Sequence, residues 1–329
     1  MKILFVGNFG YKKNFQHFYN CDYKFYFGLI KNGHSVYQFS NRDLARQEGF
    51  FKSRFGSQKT INKKLLKTIN ELKPEIIFLS HCGMIENETL QIIREQNKNI
   101  RIAEINVDAL WVDKIKDYLT SRCLFIDALF LTSSGSQLDE FRKINPKLKV
   151  SYVGNPVDES IEKYRCFENE NFSHDVFFAG SNGYREETIN FLKNKLPNIK
   201  FNILGQGSVP LKYGQNYINE LITCHTGLNL PQFTEEKFQP PLYSSDRIAQ
   251  YMGNGLLTII HAGTGLQEIF EPEVDAIFYS NWEDLAEKIQ EYKLNKIKRK
   301  TIAKNGCEKY HMLYSSKKIT LDMVDLVVS

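Results

Sequence analysis

Two short stretches carry residue types that bind phosphate. GSNGYREE, residues 180–187, sets Gly180, Asn182 and Gly183 in front of Arg185. An arginine beside free backbone N–H groups clamps a diphosphate well, because its fixed charge and planar donors match phosphate oxygens. The same pattern also describes a plain strand-to-helix turn with a surface arginine. SSDRIAQYMGNGLLTIIHAGTGLQEIF, residues 244–270, is the second stretch. Ser244, Ser245 and Asp246 are helix-capping types, and Asp246, Arg247 and Gln250 share one rim of the helix they open. One strand later GTGLQE supplies a further glycine turn that is expected to open the next helix, where backbone N–H groups again suit an anion. Neither turn has the G-x-G-x-x-G spacing, so a nicotinamide-linked dehydrogenase ranks low.

These residues need a scaffold, and the chain alternates strand-length apolar runs with helical patterns from end to end. That alternation predicts parallel sheets with helical crossovers. KILFV (2–6), SVYQF (35–39), EIIFLS (75–80), RIAEINV (101–107), DALFLTS (127–133) and KVSYVGN (149–155) are the strands expected in the first half. Helices are expected over 23–33, 61–73 and 88–97. The pattern restarts at DVFFAG (175–180) and continues through KFNILGQG (200–207), ELITCHTGLNL (220–230), LLTIIHA (256–262) and DAIFYS (275–280). The predicted fold is α/β, with two tandem Rossmann-like, doubly wound domains facing a cleft. The first covers 1–158, a linker 159–174, and the second 175–310. Residues 311–329 form a C-terminal helix that packs back on the first domain. Ligands of such sheets bind beyond the carboxyl ends of the strands. This directs attention to His81 and Asp108, which follow two strands of the first half, although each also fits a satisfied structural role.

Composition narrows the classes. Of 329 residues, 42% are hydrophobic and 25% charged, as in ordinary globular chains rather than disordered ones. No apolar run approaches the roughly 18–20 residues of a membrane span. MKILFVGNFG lacks a signal-peptide cleavage pattern, so a soluble, cytoplasmic protein is expected. Six dispersed cysteines and seven scattered histidines, with no C-x-x-C and no H-E-x-x-H, predict reduced thiols and no protein-held metal. The net charge of +5 is mild, and nucleic acid is not an expected partner. The basic run KLNKIKRKTIAK (293–304) reads mainly as a solvated helix face, with weak peripheral contact to anionic lipid at the inner membrane face as the lesser reading.

Across residues 175–289 the ordered series DVFFAGSNGYREETINFL, LGQG, ITCHTGLNL, SSDRIAQYMGNGLLTIIHAGTGLQEIF and DAIFYSNWEDLAEKI resembles the donor domain of GT-B glycosyltransferases. Within them it is most similar to the group-1 type that includes spore-maturation CgeB-like proteins. The first half resembles the family in layout only, through the loop after its first strand and through INVDAL and DALFLTSSG. The resemblance implies a nucleotide-diphosphate sugar, UDP- or GDP-linked, bound in the C-terminal domain. It also implies a glycan or lipid-linked acceptor on the N-terminal domain, as in polysaccharide biosynthesis. Gly180, Asn182, Ser245, Asp246 and Arg247 would then line the donor site, and Arg185 with Gly263, Thr264, Gly265 and Leu266 would hold its diphosphate. Gln250 stands where many relatives carry a ribose-binding glutamate, and Leu242 stands where the first glutamate of E-x7-E would lie. Asp246 or Glu268 would compensate. Asn8 and Gly10 would shape the first loop near the transferred sugar. Asp108 or its rival His81 would serve as general base or acceptor contact. The absence of D-x-D favours metal-independent transfer without a cofactor, with retention favoured over inversion. The other readings are a nucleotide-sugar epimerase on the same architecture and a catalytically silent nucleotide-sugar-binding protein.

Overall fold

The computed structural model describes residues 1–49, 54–181, 183–230 and 242–329, with the backbone alone at 183 and 184. The chain divides into two compact units. The first comprises Met1–Pro156 and Ser316–Ser329, and the second Val157–Ser315.

The first unit runs β1 (Lys2–Gly7), α1 (Cys21–Lys31), β2 (Ser35–Ser40), α2 (Asn41–Glu48), α3 (Gln58–Leu72), β3 (Ile76–Ser80), α4 (Asn87–Gln96), β4 (Arg101–Asn106), α5 (Asp113–Arg122), β5 (Ala128–Leu131), α6 (Gln137–Ile144) and β6 (Lys149–Tyr152). Its six strands are parallel in the order β2-β1-β3-β4-β5-β6. Parallel strands carry helices on both faces, which is why β1, β3 and β5 read as nearly unbroken apolar runs. Alternation still sorts the faces. Leu4, Val6, Ile77 and Leu79 share a core with Ile61, Leu65 and Ile69 of α3, Leu90 and Ile93 of α4, and Leu138 and Phe141 of α6. The α12 helix (Ser316–Val328) packs on α1, where Gly28 lets the backbones meet: a Cβ there would lie 2.1 Å from the Ser316 carbonyl oxygen. Asn32 Nδ2 ties the two by donating to Lys317 O and Thr320 Oγ1, at 2.8 and 2.9 Å.

The second unit runs β7 (His174–Ala179), α7 (Gly183–Lys195), β8 (Phe201–Leu204), α8 (Gln215–Leu221), β9 (Cys224–Asn229), α9 (Asp246–Gly253), β10 (Leu257–His261), β11 (Ile277–Tyr279), α10 (Trp282–Leu294) and α11 (Lys296–Tyr314). Its parallel strands are ordered β11-β10-β9-β7-β8. The segment expected as a linker, 159–174, belongs to this unit and buries Ile161, Glu162, Cys166 and Phe167. The division itself falls after Pro156.

In the basic run the lysines find carboxylates within the chain. Lys293 pairs with Asp175 at 3.0 Å, Lys296 and Lys300 with Glu170, and Lys298 with Glu273 at 2.8 Å. All six cysteines are buried and form no disulfide. Among the described residues, no helix is long and apolar enough to cross a membrane.

Each sheet reverses its winding once, between β1 and β3 in the first unit and between β7 and β9 in the second. At such a point the crossovers leave in opposite directions and open a crevice at the strand ends. Both groups of candidate residues begin there.

Candidate functional site

In the second unit the crevice lies after Ala179 of β7 and Asn229 of β9. Arg185 rises from the first turn of α7 and Arg247 from the first turn of α9. Both guanidiniums bond the same acceptor, the carbonyl oxygen of Leu230, from Nε of Arg185 at 3.0 Å and from Nη2 of Arg247 at 3.1 Å. Arg185 Nη1 also donates to Ser181 O at 3.2 Å. The two cations stack near one ring, 5.7 and 5.4 Å from the centroid of Phe178. Gly180 makes the convergence fit, since a Cβ there would stand 2.9 Å from Nη1 of each arginine.

No described carboxylate pairs with either guanidinium, and the ionisable neighbours that bear most on Arg185 besides Arg247 are Tyr243, Tyr251 and Tyr279. Burial first and Arg247 second push the Arg185 pKa down from its ordinary value. Among the described residues, Arg247 Nε is buried without a hydrogen-bond partner. Two like charges in a low-dielectric crevice are costly unless an anion joins them. An anion with several oxygens would take the spare donors.

The other expected donor residues are placed as follows. Asn182 lies outside the described residues. Ser245 Oγ donates to Asn229 Oδ1 at 3.2 Å, so its hydroxyl faces the end of β9. Gln250 is buried and engaged at both ends: its Nε2 donates to Asp246 Oδ2 at 2.6 Å, and its Oε1 accepts from the Tyr217 hydroxyl. That chain ties Asp246 and Gln250 together on α9, but it leaves the amide one uncommitted N–H for any ligand. The GTGL turn departs from expectation because no full helix follows it. Ala262–Thr264 and Leu266–Glu268 form single 3-10 turns around Gly265, whose φ is 70°. Gly263 N is given to His261 Nδ1 at 3.0 Å and Gly265 N to Ala262 O at 3.1 Å, while Thr264 Oγ1 donates to His261 O at 2.8 Å. Leu266 is buried beneath the turn and Glu268 is exposed. Gln206 of the LGQG turn donates to the Gly180 carbonyl.

In the first unit the crevice lies after Gly7 of β1 and Ser80 of β3. His81 follows β3 in the left-handed region, with φ 49°. This conformation costs a non-glycine residue about 1 kcal/mol, and it presents the ring to Asp22 at the start of α1. His81 Nδ1 lies 3.0 Å from Asp22 Oδ1. Asp22 is fully buried and also accepts from Ser80 Oγ at 2.5 Å and from Asn8 N at 2.7 Å. Burial works to raise the Asp22 pKa, but His81 and these hydrogen bonds outweigh it and hold the carboxyl below its usual value. Asp22 in turn raises the His81 pKa against the opposing effect of burial. A neutral ring that donates a hydrogen bond from Nδ1–H to the Asp22 carboxylate leaves Nε2 as a base.

Cys21 Sγ joins Asp22 and His81 in a group whose ligand atoms lie within 4.8 Å of one another. Asp22 already spends its oxygens on Asn8, Ser80 and His81, which fits a hydrogen-bonded dyad better than a cation cage. The Asp22 partnership is absent from the sequence reading. Its one local trace is the Asn20 cap, which accepts from Tyr23 N at 3.1 Å and fixes the helix start at Cys21.

His81 and Asp108 line the same cavity of about 420 Å³. Asp108 is exposed. Gly10 belongs to this unit, in the loop after β1, where its φ of 70° lets its carbonyl accept from Lys13 N and Phe15 N. Asp43 of α2 holds the same loop through Tyr11 N at 2.8 Å and Lys12 N at 3.2 Å.

Two parallel α/β sheets of six and five strands define the fold of GT-B glycosyltransferases. A family model described as glycosyl transferase-like matches residues 185–325, which include both arginines and all of α9 to α11. The sequence matches no curated protein. Several solved structures share the fold over its whole length. An alpha-glucosyltransferase, solved with UDP and a 13-mer DNA, has a TM-score of 0.70 at 12% identity, with all of both chains covered. Anabaena Alr3699/HepE, solved with UDP and glucose, has a TM-score of 0.60 at 15% identity, again with all of both chains covered. T4 phage BGT, solved with its UDP-glucose substrate, has a TM-score of 0.56 at 12% identity, with 99% of each chain covered.

Proposed function

We propose that this chain is a glycosyltransferase that moves a sugar from a nucleotide-diphosphate donor to a hydroxyl acceptor. The carrying observation is the convergence of Arg185 and Arg247 over Gly180, at the switch point of the second sheet, with no described carboxylate as partner. In this reading the donor diphosphate is the missing counter-ion. As the glycosidic bond breaks, negative charge grows on the leaving phosphate oxygens, and two preplaced guanidiniums stabilise it without reorganising. This supplies the role that a divalent ion plays elsewhere, so transfer is read as metal-independent. UDP is the favoured nucleotide, because HepE, BGT and the alpha-glucosyltransferase were each solved with UDP or UDP-glucose.

His81, oriented by Asp22, is read as the group that takes the acceptor proton, with Asp108 as a contact to the acceptor. Asp246 and Gln250 are read as the polar pair facing the nucleotide ribose. The finer likeness to the CgeB-like type and a place in glycan synthesis in the cytoplasm belong to the same reading.

The test is a thermal-shift comparison of UDP, GDP and uridine with EDTA present. A ligand confined to the folded state adds about 2.7 kcal/mol of stability at a hundredfold excess over Kd. A shift with UDP but not uridine is expected. The absence of any nucleotide-diphosphate shift, in protein shown to be folded, would overturn the proposal.

A further inference from the structure

The cavity beside His81 has a charge arrangement that the proposed chemistry does not use. Arg42 of α2 and Lys114 of α5 both line it. Neither makes a hydrogen bond or ion pair with any described residue. Neighbouring cations on the same helices do find partners: Arg46 pairs with Asp43 at 3.5 Å and Lys116 with Glu140 at 2.6 Å.

The acids in the wall are accounted for differently. Glu104 is buried against Arg122, with Nε 3.3 Å from its carboxylate, and it accepts from the Tyr118 hydroxyl at 2.7 Å. That charge is neutralised inside the wall. Asp22 is fully buried and does not line the space. Among the described residues, what lines the space is then two unpaired cations against the single carboxylate of Asp108, one positive charge in excess. Ile105, Val107, Ile115 and Tyr118 supply apolar surface beside them. About 420 Å³ is within the range of small-ligand cavities, roughly 300–1,000 Å³.

We infer that this cavity takes an acidic sugar, one that carries a carboxylate or phosphate group held by Arg42 and Lys114 while a hydroxyl meets His81. The planar donors of Arg42 suit either oxyanion, and the apolar wall suits the C–H face of a sugar ring. The inference rests on the glycosyl-transfer reading for the name acceptor, but the binding it describes needs no turnover.

Binding of glucuronate, glucose 6-phosphate and glucose to the full chain should therefore be measured by saturation-transfer NMR, with UDP binding followed separately. The acidic sugars should bind at least tenfold more tightly than glucose, and added NaCl should weaken them. The tighter of the two names the oxyanion. Arg42→Gln should lower their affinity about tenfold and leave UDP binding unchanged, and Lys114→Gln should act in the same direction. Equal binding of glucose and the acidic sugars, or acid binding indifferent to both substitutions, would overturn the inference. Acidic sugars bound through Arg42 without any UDP binding would retain this site and remove the transferase reading. UDP binding without acidic-sugar binding would do the reverse.

Discussion

Arg185 and Arg247 donate to one carbonyl oxygen, that of Leu230, at 3.0 and 3.1 Å. Two cations that share a neutral acceptor repel one another, and burial deepens that repulsion. The folded chain tolerates this strain at the point where β7 and β9 part. Such strain is found where a ligand relieves it.

Removing one charge should therefore divide stability from function. Arg185→Met and Arg247→Met are each expected to weaken UDP binding by about 10- to 100-fold, the worth of a charged hydrogen bond of roughly 1.5–3 kcal/mol. The same variants should melt no lower than the parent without ligand, since the repulsion is gone. Calorimetric titration with thermal melts checks both halves. A variant that loses its fold and its binding together would mean that the pair is structural.

Asp22 should set the pH at which transfer begins. It raises the His81 pKa above the ordinary 6.5, helped by Asp108 and opposed by burial and by Arg42. A base must be neutral, so kcat/KM should fall as pH drops through that raised value. Asp22→Asn should lower the rate and move the acidic limb to lower pH, because a neutral partner no longer favours the imidazolium. An unmoved limb would exclude His81 as the titrating base.

His225 should make the second unit sensitive to mild acid. Burial first, then Arg299, pushes its pKa down to about 4, although Asp175 works the other way. A histidine depressed in the folded state takes up protons more readily when unfolded, so stability falls as pH drops from about 6.5 toward 4. The expected loss is about 2 kcal/mol between pH 7 and pH 5, from 1.36 kcal/mol per unit. Urea melts of the parent and of His225→Gln over this range should show the slope in the parent and a shallower one in the variant. Parallel slopes would assign the acid sensitivity elsewhere.

Gly28 should be intolerant of even one methyl group. A Cβ would stand 2.1 Å from the backbone oxygen of Ser316 and 2.7 Å from Thr320 Oγ1. Alanine normally favours a helix by about 1 kcal/mol over glycine. Here the overlap with α12 should win, at roughly 1–3 kcal/mol of net destabilisation. A denaturation midpoint equal to or above that of the parent would show that α12 can lift from α1 without loss.

What the sequence determined by itself is the set of local decisions. Apolar runs of four to six residues alternating with amphipathic stretches specify parallel strands and crossover helices, because backbone pairing and side-chain periodicity act within a few residues. KILFV, EIIFLS and DVFFAG were legible as strands for that reason, and so were the turns after them that carry Gly180 and His81. The length of chain that follows GTGL was not legible: its capping residues allow a helix, but the turn spends Gly263 N and Gly265 N on neighbouring acceptors and stops after single 3-10 turns. Partnerships across long separations were legible only in part. Arg185 and Arg247 could each be picked out as phosphate-binding types, yet their meeting over Gly180 depends on β9 pairing with β7 rather than with β8. Asp22 could not be picked out at all. It lies 59 residues before His81, and β1 pairs with β3 to bring the start of α1 to that ring. Strand order is set by how whole faces bury their apolar surface, a sum over the domain that no short stretch of residues contains. The sequence alone therefore determined which residues could do chemistry, and only the tertiary structure decided which of them stand together.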